Sequence, residues 1–357
     1  MAIEFSPPHG EVKRALKNPV VPVGLVWRSL TVRLGVGGGA VVVALFFLWV
    51  VAVFWSREPE PFDVKAAGLE RFAGDASKVV VGVVVTNTLM RVAQTLLEKS
   101  GGYLTNDKTP PGVLMDNMPS WEFGVLTQVR VLAQSMRNDF SRSQSQSVED
   151  PDLAKGEPQF NFNNNSWIMP ATEDEYRTAL KHLNNYLNRL ADPRHTSAQF
   201  YARADNLAGW VDLVSKRLGG LSQKLRSSVG QNRLNTDLSG EPGAQQSTPV
   251  QEQELVKTPW LQLDDVLYEA RGTCWALLHF LRAMEVDFQE VLQKKNALVS
   301  LRQIIRELEP TQEPVWSPMV LNGSGFGLVA NHSMVMGAYI SRANAALIDL
   351  KNLLQRG

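Results

Sequence analysis

From Leu34 to Trp55 the chain runs without a charged residue, and as a helix this stretch is long enough to cross the ~30 Å hydrocarbon core of a bilayer. No other feature restricts the chain so strongly, because backbone in lipid must satisfy its own hydrogen bonds and a lone span does so only as a helix. The flanks predict its direction. Lys13, Arg14, Lys17, Arg28 and Arg33 precede it, whereas Arg57 is the one nearby base after it, among Glu58, Glu60 and Asp63. The positive-inside rule then keeps residues 1–33 in the cytoplasm as an N-terminal tail and puts everything beyond the span outside it. Trp27, Trp49 and Trp55, near the ends of the run, suit the two bilayer interfaces. A cleaved signal peptide fits less well. The leader before the run is long, the run exceeds the usual ~7–15 apolar residues, and Val53-Phe54-Trp55 lacks the small residues of a cleavage site. The expectation is an uncleaved signal anchor over 34–55.

Beyond the anchor the sequence is that of an ordinary soluble domain. Lys+Arg 36 balance Asp+Glu 36, which leaves no clustered positive field for nucleic acid or for an anionic membrane face. The lone Cys274 stands in the apolar stretch Thr273-Cys274-Trp275-Ala276-Leu277-Leu278. It reads as a small buried hydrophobe, since a catalytic thiol needs an electropositive, accessible setting. A chain of this length buries a sufficient core without disulfides.

Glu58-Pro59-Glu60-Pro61 predicts a stiff, extended spacer over 56–63 that holds a domain away from the bilayer. The folded domain is expected over 64–357. Val79–Val85 is β-branched, but Thr86-Asn87-Thr88 followed by Leu89, Val92, Ala93, Leu96 and Leu97 predicts a helix running to the Gly101-Gly102 stop. Helical spacing then recurs. Leu126, Val129, Ala133, Met136 and Phe140 form one stripe; Tyr176, Leu180, Leu183, Leu187 and Leu190 form another, opened by a Thr172/Glu175 capping box. A third runs from Leu207 to Leu225 with a bend expected at Gly219-Gly220, a fourth from Leu263 to Leu308, and a last through Val335, Tyr339, Ala343, Leu347, Leu350 and Leu354. Between them, Asn235–Thr258 is rich in Gly, Pro, Gln and Ser and predicts a flexible insertion at 235–258. Only Met319–Leu321, Asn322-Gly323 and Phe326–Ala330 read as β, a small hairpin about a tight Asn-Gly turn. The expected class is all-α: an N-terminal transmembrane helix, then a multi-helix, bundle-like extracytoplasmic domain with one small hairpin.

Motifs that carry chemistry fail on detail. Asn322-Gly323-Ser324-Gly325-Phe326-Gly327 lacks the Gly-Lys-Ser/Thr ending of a phosphate loop and has Leu328 where a dinucleotide loop needs its third Gly. His9, His182, His195, His279 and His332 keep no metal-ligand spacing with one another or with Cys274. Asp265 and Glu269, one turn apart, suit helix capping and pairing with Arg271 or another arginine; as an acid/base pair or cation ligand they lack the histidine three residues on that bundle metal sites use. No catalytic, cofactor-binding or metal-binding residue is therefore assigned. Aromatic residues among turn formers are a better lead: Trp121 and Phe123 in Pro119–Gly124, Phe160, Phe162 and Trp167 in Phe160–Trp167, and Trp260 in Pro259–Leu263. Exposed Trp and Phe anchor interfaces, so these six are candidate partner-binding residues, with sealing of the bundle ends as the alternative role.

These stretches, with Asn138–Ser147, Phe200-Tyr201-Ala202-Arg203-Ala204-Asp205-Asn206 and Val299–Leu308, carry a resemblance. The chain resembles a domain-of-unknown-function family of single-pass proteobacterial inner-membrane proteins over nearly its whole length. The resemblance implies a Gram-negative source and a place in the inner membrane with the C-terminal domain in the periplasm, and it implies no reaction, cofactor or catalytic residue. The expected function is a membrane-anchored periplasmic scaffold or adaptor of the cell envelope. Its expected partners are the bilayer, through 34–55, and an envelope protein. An envelope enzyme acting on cell-wall or lipid substrates, and a periplasmic ligand sensor acting through a partner, are the alternatives.

Overall fold

The computed structural model describes residues 23–143, 148–194, 197–234, 253–317, 319–324 and 327–356, with side chains described from Gly38 on except at 233, 234, 253 and 254. Two units divide between Val50 and Val51. The first contains most of α1 (Val23–Trp55), which starts upstream of the apolar run and continues through it. Its stretch Gly38–Trp55 is long and apolar enough to cross a membrane. Val41, Val42, Val43, Leu45, Phe46 and Phe47 are all exposed, a surface that water does not favour and lipid does.

In the second unit the helices are α2 (Val64–Glu70), α3 (Val83–Glu98), α4 (Asn117–Ser135), which ends in a π-turn over Met136–Phe140, α5 (Pro151–Phe160), α6 (Thr172–Ala191) and α7 (Ala204–Arg226). Strands β1 (Gln231–Leu234) and β2 (Gln253–Val256) pair antiparallel. Helices α8 (Leu263–Asp287), α9 (Gln289–Lys294), α10 (Leu298–Leu308) and α11 (His332–Gln355) complete the unit. The all-α class is as expected. The centre is α8, whose residues Ala270–Leu281 are buried without interruption, as befits a helix apolar on every face. Helix α4 lies beside it in the same direction: Ser120 meets Asp265 near their N-termini, and Phe140 meets Phe288 at their C-terminal ends. Helices α7 and α11 form an antiparallel pair, with Ser222 bonded to Ser341, Ser215 to Asn344 and Asp212 to Lys351.

The backbones of α4 and α8 touch. A Cβ on Gly124 would sit 2.1 Å from the Glu269 carbonyl oxygen, and one on Gly272 would sit 2.0 Å from that of Trp121. Glycine in a helix interior costs stability relative to Ala, and here it is what allows the close approach.

Several local expectations need correction. The long stripe from Leu263 to Leu308 is three helices, because Phe288 leaves helical geometry to pack among Phe140 and Phe200, and Asn296 takes a positive φ of 52°. Helix α7 continues through Gly219-Gly220 as one element. Thr172 does not form a capping box; its hydroxyl accepts the Ser166 N–H and lies 2.8 Å from the Asn163 carbonyl. In α11 Ala343, Leu347, Leu350 and Leu354 are buried as expected, but in its first turns Met336 and Ile340 are buried while Val335 is exposed and Tyr339 half-buried. The hairpin expected over 319–330 shows one bridge, Asn322 with Asn331, and its Gly325 and Phe326 lie outside the described residues. Of the insertion expected at 235–258, residues 235–252 lie outside the described residues, and 253–256 form β2. His9 and His195 also lie outside them. Residues 56–63, expected as a stiff, extended spacer, are bonded into the unit. The Glu58 carboxylate grips Arg271 Nε and Nη2 at 2.6 Å each, and the Phe62 N–H donates to His279 Nε2 at 3.0 Å.

Candidate functional site

A groove opens where α4, α7 and α8 meet. Two adjoining hollows of about 290 Å³ each share Phe123, Lys224 and Glu269 on their walls. One continues along α7 past Lys216, Arg217 and Gly220; the other reaches the N-terminal turns of α4 and α8 at Ser120 and Asp265. The helical register explains this placement. Phe123 is adjacent to Gly124, on the edge of α4 next to the contact with α8, and its ring stays 40% exposed. Asp265 and Glu269 are one turn apart on α8 and so share a face.

Charge lines the groove in pairs. Lys224 Nζ lies 2.6 Å from Glu269 Oε2, and Lys216 pairs with Asp212 at 2.7 Å. The Ser120 hydroxyl donates to Asp265 Oδ1 at 3.0 Å. Burial pushes the Asp265 carboxyl above the usual carboxylate range, Ser120 opposes that shift, and the nearby charges of Asp116, Asp264 and Glu269 add to it. A carboxyl raised in this way holds its proton to higher pH than a free aspartate does. Arg271, expected as a partner of this acidic group, belongs to Glu58 instead. Gln128 also lines the groove, and its buried amide has no hydrogen-bond partner among the described residues.

The six aromatic candidates divide. Trp121 and Phe160 are core residues with no surface to offer, Trp121 packing on Trp275 at 5.3 Å and Phe160 on Tyr176 at 6.0 Å. Phe123 is in the groove. Phe162 is half-buried, and its carbonyl accepts from Arg130. Trp167 and Trp260 are exposed, on loops whose Asn164 and Gln262 border the groove mouth. His279 is buried and satisfied, with Nδ1–H donating to the Trp275 carbonyl and Nε2 accepting from Phe62. Cys274 is buried as well, its thiol pushed up to about 12 by desolvation. Among the described residues no group of three or more His, Cys, Asp or Glu side chains converges as a metal site.

Sequence reasoning missed a second cleft, of about 370 Å³, between α8, the 310–317 segment and the first turns of α11. Leu267, Pro314, Val335, Met336 and Tyr339 line it, and Trp316 stands at its edge. Its signal was present as a tryptophan set between Pro314 and Pro318.

No curated protein and no solved structure matches the chain. A family model described as an uncharacterized protein conserved in bacteria, DUF2333, matches residues 27–357. The chain belongs to that family.

Proposed function

We propose that this protein is a single-pass, membrane-anchored scaffold or adaptor of the bacterial cell envelope, with its N-terminus cytoplasmic and its helical domain in the periplasm. The groove of α4, α7 and α8 receives a segment of a partner protein. The groove itself carries the reading: half-exposed Phe123 offers an apolar seat between Lys216, Arg217 and Lys224 on one side and Asp265 and Glu269 on the other. That pattern suits an amphipathic segment, whose apolar face seats on the aromatic ring while its charges find partners on the rim. The apolar stretch Gly38–Trp55 and the basic residues before it support the anchor and its direction.

A photo-crosslinking amino acid placed at Phe123 in the full-length protein, expressed in its native membrane, should give a discrete protein adduct, and one at Glu290, on α9 just beyond the C-terminal end of α8, should give none. Absence of an adduct at Phe123 would refute the groove as the docking site. A reporter active only outside the cytoplasm, fused after Gly357, should be active; silence there would overturn the direction.

The raised carboxyl of Asp265 beside Glu269 favours a second reading, an envelope hydrolase using the two as acid and base. Asp265→Asn separates the readings, since it should leave the Phe123 adduct intact. Loss of an envelope phenotype in that variant at normal abundance, with Phe123→Ser still functional, would favour the enzyme.

A further inference from the structure

Beyond Trp55, Trp121, Trp210 and Trp275 are buried, whereas Trp167, Trp260 and Trp316 are 52%, 70% and 92% exposed. The exposed ones share one end of the domain. Trp260 immediately precedes α8, and Trp316 edges the cleft formed with the first turns of α11. Trp167 belongs to the loop whose Asn164 lines one hollow together with Pro119 at the start of α4. Leu114 just before α4, Leu261 just before α8 and Leu328 just before α11 are exposed at the same end.

The chain itself says what lies there. Glu58 is bonded to Arg271, while Phe62 stacks on His279, two turns further toward the C-terminus of α8. Followed backward from Phe62 to Ser56, the chain therefore runs toward the N-terminal end of α8, where Ser56 and Arg57 share a hollow with Tyr268 and Val315. One residue earlier it is Trp55, the last residue of the apolar helix. The end that carries the exposed tryptophans and leucines is the end at which the chain leaves its span.

We infer that this end of the domain rests on the lipid surface, with Trp167, Trp260 and Trp316 at headgroup level and Leu114, Leu261 and Leu328 against the acyl boundary. The inference rests on the membrane-anchored reading of α1. Tryptophan favours the interface because its ring is apolar and its N–H keeps a polar partner. Contact is apolar and needs no anionic lipid, in keeping with the balanced charge of the chain. A tether of a few residues makes docking effectively intramolecular, so a weak surface affinity suffices.

The test uses full-length protein in phosphatidylcholine vesicles, spin-labelled singly through Trp316→Cys, Leu261→Cys, Glu290→Cys or Phe47→Cys, with the unsubstituted protein as blank because Cys274 is buried. Collision with oxygen, which partitions into lipid, is compared with collision with a water-soluble nickel chelate. The labels at 316 and 261 should be oxygen-rich and nickel-poor, like the one at 47, and the label at 290 should show the inverse ratio. Nickel-rich labels at 316 and 261, with 47 still lipid-like, would defeat surface docking and leave the anchor standing. Exclusion of both agents at 316 and 261 would mean burial against protein and would equally defeat it. A nickel-rich label at 47 would remove the anchor and this inference together.

Discussion

His279 and Asp287 carry opposite pH dependences in one helix. The His279 ring is committed as a neutral tautomer: Nδ1–H donates to the Trp275 carbonyl at 2.7 Å, so Nε2 is left to accept the Phe62 N–H at 3.0 Å. Burial pushes its pKa down to about 4. The unfolded chain takes up that proton near the ordinary value of about 6.5, so the contribution is complete above that value and is lost as the pH falls through about 4. At ~1.4 kcal/mol per unit, the loss is roughly 3 kcal/mol. Asp287 accepts the Val85 N–H at 2.7 Å, and burial pushes its carboxyl up to about 7 against that bond and others from Gly82 and Val84. Its contribution is present below the usual carboxylate range and is lost as the pH rises through about 7. The two slopes offset each other over the shared window. In the released domain Ser56–Gly357, urea midpoints relative to the unsubstituted protein should fall with rising pH in His279→Gln and rise with it in Asp287→Asn. Parallel slopes in the two variants would disprove the assignment. The apolar neighbours of His279, Leu277, Leu278, Phe280 and Leu281, mark in the sequence a ring set in or at the edge of an apolar face. Its partner Phe62 was not legible, since nothing local to either residue encodes a bond across more than two hundred positions. Asn331 shows the converse, because its cap on the Met334 N–H three residues on is a local event.

Elements were legible where an apolar stripe reports a single burial direction, and less so where neighbours override it. The stripes of α6 and α7 hold almost residue for residue. The break after Asp287 was invisible, because Phe288 and Leu292 extend the apolar spacing without Gly or Pro, and only the aromatic cluster with Phe140 and Phe200 explains why the chain turns there. The first turns of α4 were misread for a related reason. Pro119, Ser120 and Gly124 look like turn formers, whereas Gly124 is kept to let α8 approach. That packing has a measurable consequence. In Gly272→Ala the new Cβ meets the Trp121 carbonyl at 2.0 Å and the helices must separate, costing on the order of 2–3 kcal/mol, at the upper end of overpacking effects. Gly209→Ala in α7 meets nothing within 4 Å and should be stabilising by up to about 1 kcal/mol through helix propensity. Thermal unfolding of the released domain checks both, and equal midpoints for the two variants would refute the close approach. The candidate groove follows the same logic. Asp265 and Glu269 were legible as a pair on one helix face, but Lys224 and Phe123, which make that face a groove, come from other helices.

At the scale of the whole molecule, the segment between span and domain is part of the domain. Its sequence reads as a spacer because Pro59 and Pro61 forbid regular structure and Glu58 and Glu60 favour water. What that reading lacks is Arg271, which is 5% exposed on α8 and is satisfied by Glu58 and the carbonyls of Thr311, Gln312 and Glu313. A guanidinium so placed holds its bidentate carboxylate tightly, because the fork matches and water cannot replace it. Phe62 adds a second fastening, stacked on His279 at 4.1 Å with Arg91 over its ring at 4.7 Å. Glu58→Ala therefore leaves a buried charge without its counter-ion, and losses of that kind run to roughly 3–5 kcal/mol. Glu60→Ala removes an exposed carboxylate two residues away and should change stability by less than about 0.5 kcal/mol. A double variant, Glu58→Leu with Arg271→Met, should recover most of the loss, since an apolar pair of similar volume avoids the desolvation altogether. Urea unfolding of the released domain reads all three. If Glu58→Ala proved as mild as Glu60→Ala, residues 56–62 would not be fastened to the domain, and the route that brings the span to the N-terminal end of α8 would lose its support.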